Sequence, residues 1–187
     1  RENIFLSIGR IQQQKGQLET LRFLNSFKEV ETDFMCYFVG GPSGSSGDEY
    51  LSELKESVKE LSLSSHVEFL GNLPQVDIRN LLNSAKLLIH TSQYETFGLV
   101  AIEANSMGVP VLTTNNGSMQ EIITNKENGY LVDGLDYQDV SISIKNLIND
   151  DQYFEERMIN CMNKSKDYKW ENTVDKLLDL YQEAKFS

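Results

Sequence analysis

The chain is poor in cysteine and in positive charge. Its 187 residues include two cysteines, Cys36 in an apolar run and Cys161 in a helical pattern, without metal-type spacing. That excludes a disulfide-built scaffold and a zinc module, and it fits a reducing compartment, so the expected location is cytoplasmic. Lysine and arginine number 17 against 28 aspartates and glutamates, a net charge of −11. Such a chain repels nucleic acid and anionic lipid unless a local basic patch overrides the field. None does: the densest basic group, Lys164, Lys166 and Lys169, reads as solvated helix positions. No apolar run approaches the roughly 18 residues of a membrane-spanning helix, and no direct membrane contact is expected. The Gly-x-Gly-x-x-Gly fingerprint after a first strand is missing, and so is Gly-x(4)-Gly-Lys-Ser/Thr, which argues against nicotinamide cofactors and P-loop ATP hydrolysis. His66 and His90 stand alone, outside any metal-ligand cluster, and neither a metal nor a cofactor is expected.

An apolar content of 40% with 24% charged residues describes a globular chain, and the length fits a single domain, residues 1–187. The chain begins at Arg1 with strand pattern starting at Ile4, so no signal or transit peptide is expected and the sequence reads as an excised piece of something longer.

Along the chain the apolar period switches repeatedly between strand-like runs and helical spacing, the pattern of repeated βα units. Strands are expected at 4–8, 34–39, 67–70, 87–90, 109–113 and 129–132. Helices are expected at 17–30, where Leu18, Leu21, Leu24 and Phe27 make one stripe, at 48–61 behind an Asp48 N-cap, at 75–84, from the turn at Gly98 to Met107, at 119–123, and through most of 137–186 in two apolar patterns. The fold class that follows is α/β: a Rossmann-like, doubly wound, mainly parallel sheet of about six strands with helices on both faces and a helical C-terminal tail. Ligands of such sheets bind beyond the carboxyl ends of the strands, near the point where the strand order reverses.

Two loops there carry chemistry. Gly9-Arg10 and Lys15-Gly16 follow the first strand and can bring two cations onto one polyanion. After the fourth strand comes Ser-Gln-Tyr-Glu-Thr-Phe-Gly-Leu-Val-Ala-Ile-Glu-Ala, residues 92–104, in which Glu95 and Glu103 flank a glycine turn that opens a helix. Unpaired amides at a helix start bind anions. A carboxylate beside an anion is productive when it accepts hydrogen bonds from hydroxyl groups, which sugars and riboses supply.

These residues, together with Gly108-Val-Pro-Val, Glu121-Ile-Ile and Gly129-Tyr-Leu-Val, resemble the C-terminal domain of a family-4, GT-B-fold glycosyltransferase over roughly residues 4–148. The run Phe38-Val-Gly-Gly-Pro-Ser-Gly44 is similar to the branch holding sucrose-phosphate synthases and the UDP-N-acetylglucosamine transferases of mycothiol synthesis, which favours UDP. The resemblance implies the donor half of an enzyme that moves a sugar from a nucleotide diphosphate sugar to an acceptor with retention of configuration. It implies catalytic roles for Arg10, Lys15 and Glu95, and nucleotide contacts from Gly9, Gly71, Asn72, Leu73, Leu99, Val100 and Glu103. Glu95, Thr96, Phe97 and Gly98 would hold the donor sugar, with no metal. The partners implied are the nucleotide sugar and an acceptor-binding N-terminal domain that lies outside these residues, without which the fragment is expected to be inactive. The helix spanning Trp170 to Tyr181 is expected to expose apolar surface toward that domain.

The sequence departs from the family at Ser118, where Gly117-Ser118-Met119-Gln120-Glu121 replaces a second glycine, and at His90, where the family often has an apolar residue or proline. The competing reading is a non-catalytic nucleotide-binding regulatory module on the same fold. A flavodoxin-like receiver is disfavoured, because the ends of strands one and three lack clustered aspartates.

Overall fold

The computed structural model describes residues 1–134 and 137–185. Six strands, β1 (Ile4–Ile8), β2 (Met35–Val39), β3 (Val67–Gly71), β4 (Leu87–His90), β5 (Val111–Thr114) and β6 (Gly129–Val132), form one sheet in the order β3-β2-β1-β4-β5-β6. Every pairing in it is parallel. The strands are joined by α1 (Gln17–Lys28), α2 (Gly47–Glu60), α3 (Gln75–Ser84), α4 (Leu99–Ser106) and α5 (Met119–Ile122). The order reverses between β1 and β4, the strands whose exit loops carry the charged motifs.

The period of two along each strand divides the core. Phe5, Leu87, Ile89 and Leu112 face one layer with Leu21 of α1 and Leu54 of α2; Leu6, Leu88 and Val111 face the other with Leu82 of α3, Ala101 of α4 and Met119 of α5. All four residues of β4 are buried, as a strand covered on both faces requires. On the first face Phe5, Phe27 and Phe34 meet with ring centroids 5.2 to 5.5 Å apart.

Three expectations need correction. The fifth strand starts at Val111 rather than Val109, because Pro110 has no N–H to give a ladder. Asp48 is not an N-cap: the helix opens at Gly47, and Asp48 sits in its first turn, where a carboxylate favours the dipole without capping. Among the described residues the tail forms three α-helices rather than two, α6 (Gln138–Asn149), α7 (Asp151–Ser165) and α8 (Trp170–Lys185), with a 3-10 turn at Lys166–Tyr168 before the last. Asp150 alone separates the first two, its carboxylate accepting from Tyr153 N at 3.0 Å as an N-cap. α6 buries Val140, Ile144 and Leu147 on the α1 side, whereas α7 packs along α4. The crossing beneath the sheet is pinned by Lys86, 5% exposed, which donates to the Ile148 carbonyl at 2.6 Å. α8 stands off this body, with Trp170 81% and Tyr181 71% exposed. Cys36 and Cys161 are free and buried.

The loops after β1 and β4 are tied to each other. Thr91 Oγ1 donates to the Gly16 carbonyl at 2.7 Å and meets Thr20 Oγ1 at 2.9 Å; Gln93 N and Ser92 Oγ both donate to the Gln14 carbonyl, at 2.9 and 3.1 Å. Gly16 permits this approach through a left-handed φ of +68°, and a Cβ there would lie 2.0 Å from the Thr91 carbonyl oxygen. Gly16→Ala should therefore cost about 2 kcal/mol or more, since the left-handed backbone penalises alanine and neither backbone segment can yield. Urea unfolding measures this; an unchanged midpoint would show that the two loops are not rigidly joined.

Candidate active site

β1 delivers Gly9 and Arg10 to the carboxyl edge of the sheet, and a single 3-10 turn, Gln13–Lys15, brings Lys15 back toward β4. The loop's carbonyl at Arg10 is held by Gln17 Nε2 at 2.8 Å. β4 ends at His90, two positions past Leu88 and so on the same face, toward α3, α4 and α5. The chain then turns through Glu95 to Gly98, whose left-handed φ of +74° starts α4; a Cβ there would meet Met119 Cε at 2.1 Å, so α5 packs directly beneath the turn. Asn116 Nδ2 donates to the carbonyls of Ser92 and Gln93 at 3.1 and 3.0 Å, fixing the same loop from the β5 side.

These elements enclose a groove of about 440 Å³. Arg10, Lys15, His90, Glu95 and Glu103 all line it, with Thr96, Phe97, Gly98, Leu99 and Val100 along its α4 wall. The side chains are connected. Lys15 Nζ lies 2.9 Å from Glu95 Oε2, and His90 Nε2 lies 3.0 Å from the same oxygen; Gly98 N donates to the other oxygen, Oε1, at 3.4 Å. The Glu95 side chain is only 14% exposed and that of Lys15 25%. The hydrogen bond from His90 above all, with that from Lys15 and the charges of both, holds the Glu95 carboxyl well below the ordinary carboxylate range, against a desolvation that raises it. An ionised carboxylate only accepts hydrogen bonds, so His90 carries its hydrogen on Nε2.

Arg10 is exposed, and its guanidinium makes no ion pair or hydrogen bond among the described residues. The amides of Leu99 and Val100 open α4 without a capping side chain, since the first intrahelical bond is made by Ala101 N. The groove thus offers a free cation, a paired cation, two orphan amides and a held carboxylate. That set suits a ligand carrying both anionic and hydroxyl groups.

The sequence-derived residues divide accordingly. Arg10, Lys15, Glu95, Thr96, Phe97, Gly98, Leu99, Val100 and Glu103 are brought together with Gly9 around the groove. Gly71, Asn72 and Leu73, at the end of β3, do not line it; they are tied to the loop after β2, Asn72 Oδ1 accepting from Gly41 N at 2.7 Å and Gly40 N donating to the Gly71 carbonyl at 2.8 Å. Ile8, Gln75 and Ile78 also line the groove without a role expected from the sequence, and so does His90, which the sequence marked only as a lone histidine departing from the family pattern. For Gln75 the available signal was its place at the start of a helix after a turn at Pro74; for Ile8 and Ile78 there was none, since both read as core. Ser118 Oγ points at the Glu95 carbonyl, 3.4 Å away. A larger hollow, about 560 Å³, lies at the opposite end of the strands around Asn3, Asp33 and Tyr37. It lacks helix N-termini, and open α/β sheets bind ligands at the other edge.

The family profile of the glycosyl transferases group 1 matches residues 1–165. The chain belongs to that family. Among curated relatives of this group 1 glycosyl transferase chain, the D-inositol 3-phosphate glycosyltransferase of Corynebacterium urealyticum is 33% identical over 177 residues, 94% of this chain and 42% of that protein. The chain thus spans less than half the length of that relative. A sucrose-phosphate synthase from Thermosynechococcus elongatus matches with a TM-score of 0.82 at 26% identity, over 98% of this chain and 45% of that one. Anabaena Alr3699/HepE, solved in complex with UDP, matches with a TM-score of 0.84 at 24% identity, over 98% of this chain and 49% of that one. These likenesses carry the GT-B-type Rossmann fold expected for the chain.

The sign of the Glu95 shift fixes a pH dependence for this group 1 domain. A carboxyl depressed in the folded state stabilises the fold fully above its ordinary value of 4.5 and loses that contribution as pH falls through the folded value. Wild type should exceed Glu95→Gln by about 2 kcal/mol near neutral pH, from charge-assisted bonds to Lys15 and His90. The gap should close progressively as the pH drops below about 4.5. Urea unfolding of both proteins across that range measures it, and a gap that stays constant with pH contradicts the charge assignment.

Proposed function

We propose that this chain is the donor-binding half of a glycosyltransferase that takes a sugar from a UDP-sugar and passes it to an acceptor bound largely by the remainder of the protein. The observation that carries the reading is the convergence of Arg10, Lys15, the α4 amides and two glutamates on one groove at the sheet's switch point. The relatives add support: Alr3699/HepE is solved with UDP-glucose, and the first curated relatives are glycosyltransferases about twice as long as this chain.

In this reading Arg10, the amides of Leu99 and Val100, and Lys15 hold the diphosphate, and Glu103 accepts from the ribose hydroxyls. Glu95 with the backbone from Thr96 to Gly98 holds the donor sugar, and Gly71, Asn72 and Leu73 border the base. Lys15 leaves Glu95 as the diphosphate arrives, because a multiply charged anion outcompetes one carboxylate for the ammonium. Departure of the diphosphate then builds charge beside two cations and a helix start, which stabilise it without a metal; losing one such donor costs on the order of 3 kcal/mol in the barrier. Retention follows if the acceptor attacks from the face that the leaving group vacates, with no protein nucleophile. A cytoplasmic location belongs to the same proposal, since nucleotide sugars are the substrate.

A thermal-shift series with UDP, GDP, ADP and UDP-glucose tests the reading. UDP and UDP-glucose should raise the midpoint, by a stabilisation of about 2.7 kcal/mol at one hundred times the dissociation constant. Arg10→Ala should remove most of that rise. If no nucleotide shifts the midpoint, the diphosphate assignment fails. With the whole protein in hand, proton NMR of the product reads the stereochemistry, and an inverted anomer would rule out the front-face route.

A further inference from the structure

His90 has no part in the scheme above, yet it is the most deeply buried titratable side chain lining the groove. It ends a four-residue strand that is buried throughout, its carbonyl accepts from Thr113 Oγ1 at 2.7 Å, and it is itself 5% exposed. Its Nε2 lies 3.0 Å from Glu95 Oε2, the oxygen that also receives Lys15 Nζ at 2.9 Å. The two partners differ in what can move them. Lys15 sits on a loop at the end of a flexible stem, a quarter exposed. His90 has two side-chain torsions and is enclosed by the sheet.

A diphosphate entering the groove draws Lys15 away and adds negative charge beside Glu95, so the carboxylate loses a partner when repulsion on it rises. The other charged groups lining the groove are Arg10 on the β1 loop and Glu103 on α4. Arg10 is assigned to the diphosphate and Glu103 repels, so His90 is the side chain that remains to hold the carboxylate at Oε2, beside the longer 3.4 Å bond from Gly98 N to Oε1. We propose that His90 is a positioning residue for donor-sugar recognition: its Nε2–H keeps the Glu95 carboxylate facing the sugar hydroxyls after Lys15 has turned to the diphosphate. The proposal rests on the donor-site reading and assigns to it a residue whose effect is confined to the sugar.

Calorimetric titration of the chain with UDP, UDP-glucose and UDP-N-acetylglucosamine separates the possibilities. His90→Leu, which keeps bulk and loses the donor, should bind UDP within about twofold of wild type while at least one of the two UDP-sugars weakens about tenfold, the loss of one hydrogen bond to a charged group. His90→Gln places an amide N–H near the Nε2 position and should recover most of that loss. If His90→Leu does not fold, His90→Asn, polar but too short to reach Glu95, takes its place in the comparison. Equal weakening of all three ligands would mean a purely structural role and overturn the proposal, as would unchanged binding of all three or a Gln variant no better than Leu. A wild-type chain that binds none of the three overturns the donor-site reading and this proposal with it, whereas normal wild-type binding unaffected by His90→Leu overturns this proposal alone.

Discussion

β1 and β4 lie side by side, yet the chain leaving β1 turns to one face of the sheet and the chain leaving β4 turns to the other. That divergence opens a crevice between two loops that would otherwise be free to drift. Bonds from Thr91, Ser92 and Gln93 to the carbonyls of Gly16 and Gln14 hold the loops in register across it. Everything chemical about the groove depends on this clamp. It sets Lys15, eighty positions away in sequence, within 2.9 Å of Glu95, and it leaves the start of α4 open to the same space. A sheet with the same strands and looser loops would have the residues without the site.

The clamp also explains why the groove tolerates charges in a partly buried setting. Glu95 is ionised because three donors converge on it from three different elements: the β1 loop, the end of β4 and its own turn into α4. Removing any one leaves a carboxylate short of partners in a region of reduced dielectric, where unpaired polar groups are costly. Around Glu95 the free chain holds a set of mutual contacts, and in the proposed reading nucleotide binding exchanges partners within that set.

Much of this was legible in the sequence because a doubly wound sheet has strong local signals. Strands such as 4–8 and 129–132 are short apolar runs with a glycine at one end, 87–90 is a short apolar run ahead of a polar loop, and the βα alternation leaves one main topology. The glycine turn before Leu99 marked the open helix start, and the two loops could be assigned to the switch point from their order alone. The errors fall where local pattern and hydrogen-bond geometry part company. At Pro110 the apolar run continues although the ladder cannot. At Asp150 a single capping residue divides two helices whose apolar periods run on nearly unbroken. Asp48 had the right chemistry for a cap, but the helix begins one residue before it. The pairing of Lys15 with Glu95 and His90 was not legible, because no local period encodes a contact across eighty residues and a lone histidine at a strand end looks like any other strand end. What made His90 visible was the register of β4, which turns it to the same face as Leu88 and toward the groove.

The family match and the fold place this chain among the group 1 glycosyl transferases, and the partner exchange at Glu95 is the physical step by which the groove would read a nucleotide sugar. A crystal structure of the chain with UDP bears on it without intermediaries. The account predicts the diphosphate within hydrogen-bond distance of Arg10, Lys15 and the amides of Leu99 and Val100, with Lys15 Nζ moved off Glu95 and His90 Nε2 still on it. UDP bound elsewhere, or Lys15 still paired with Glu95 and no phosphate at the start of α4, would contradict it.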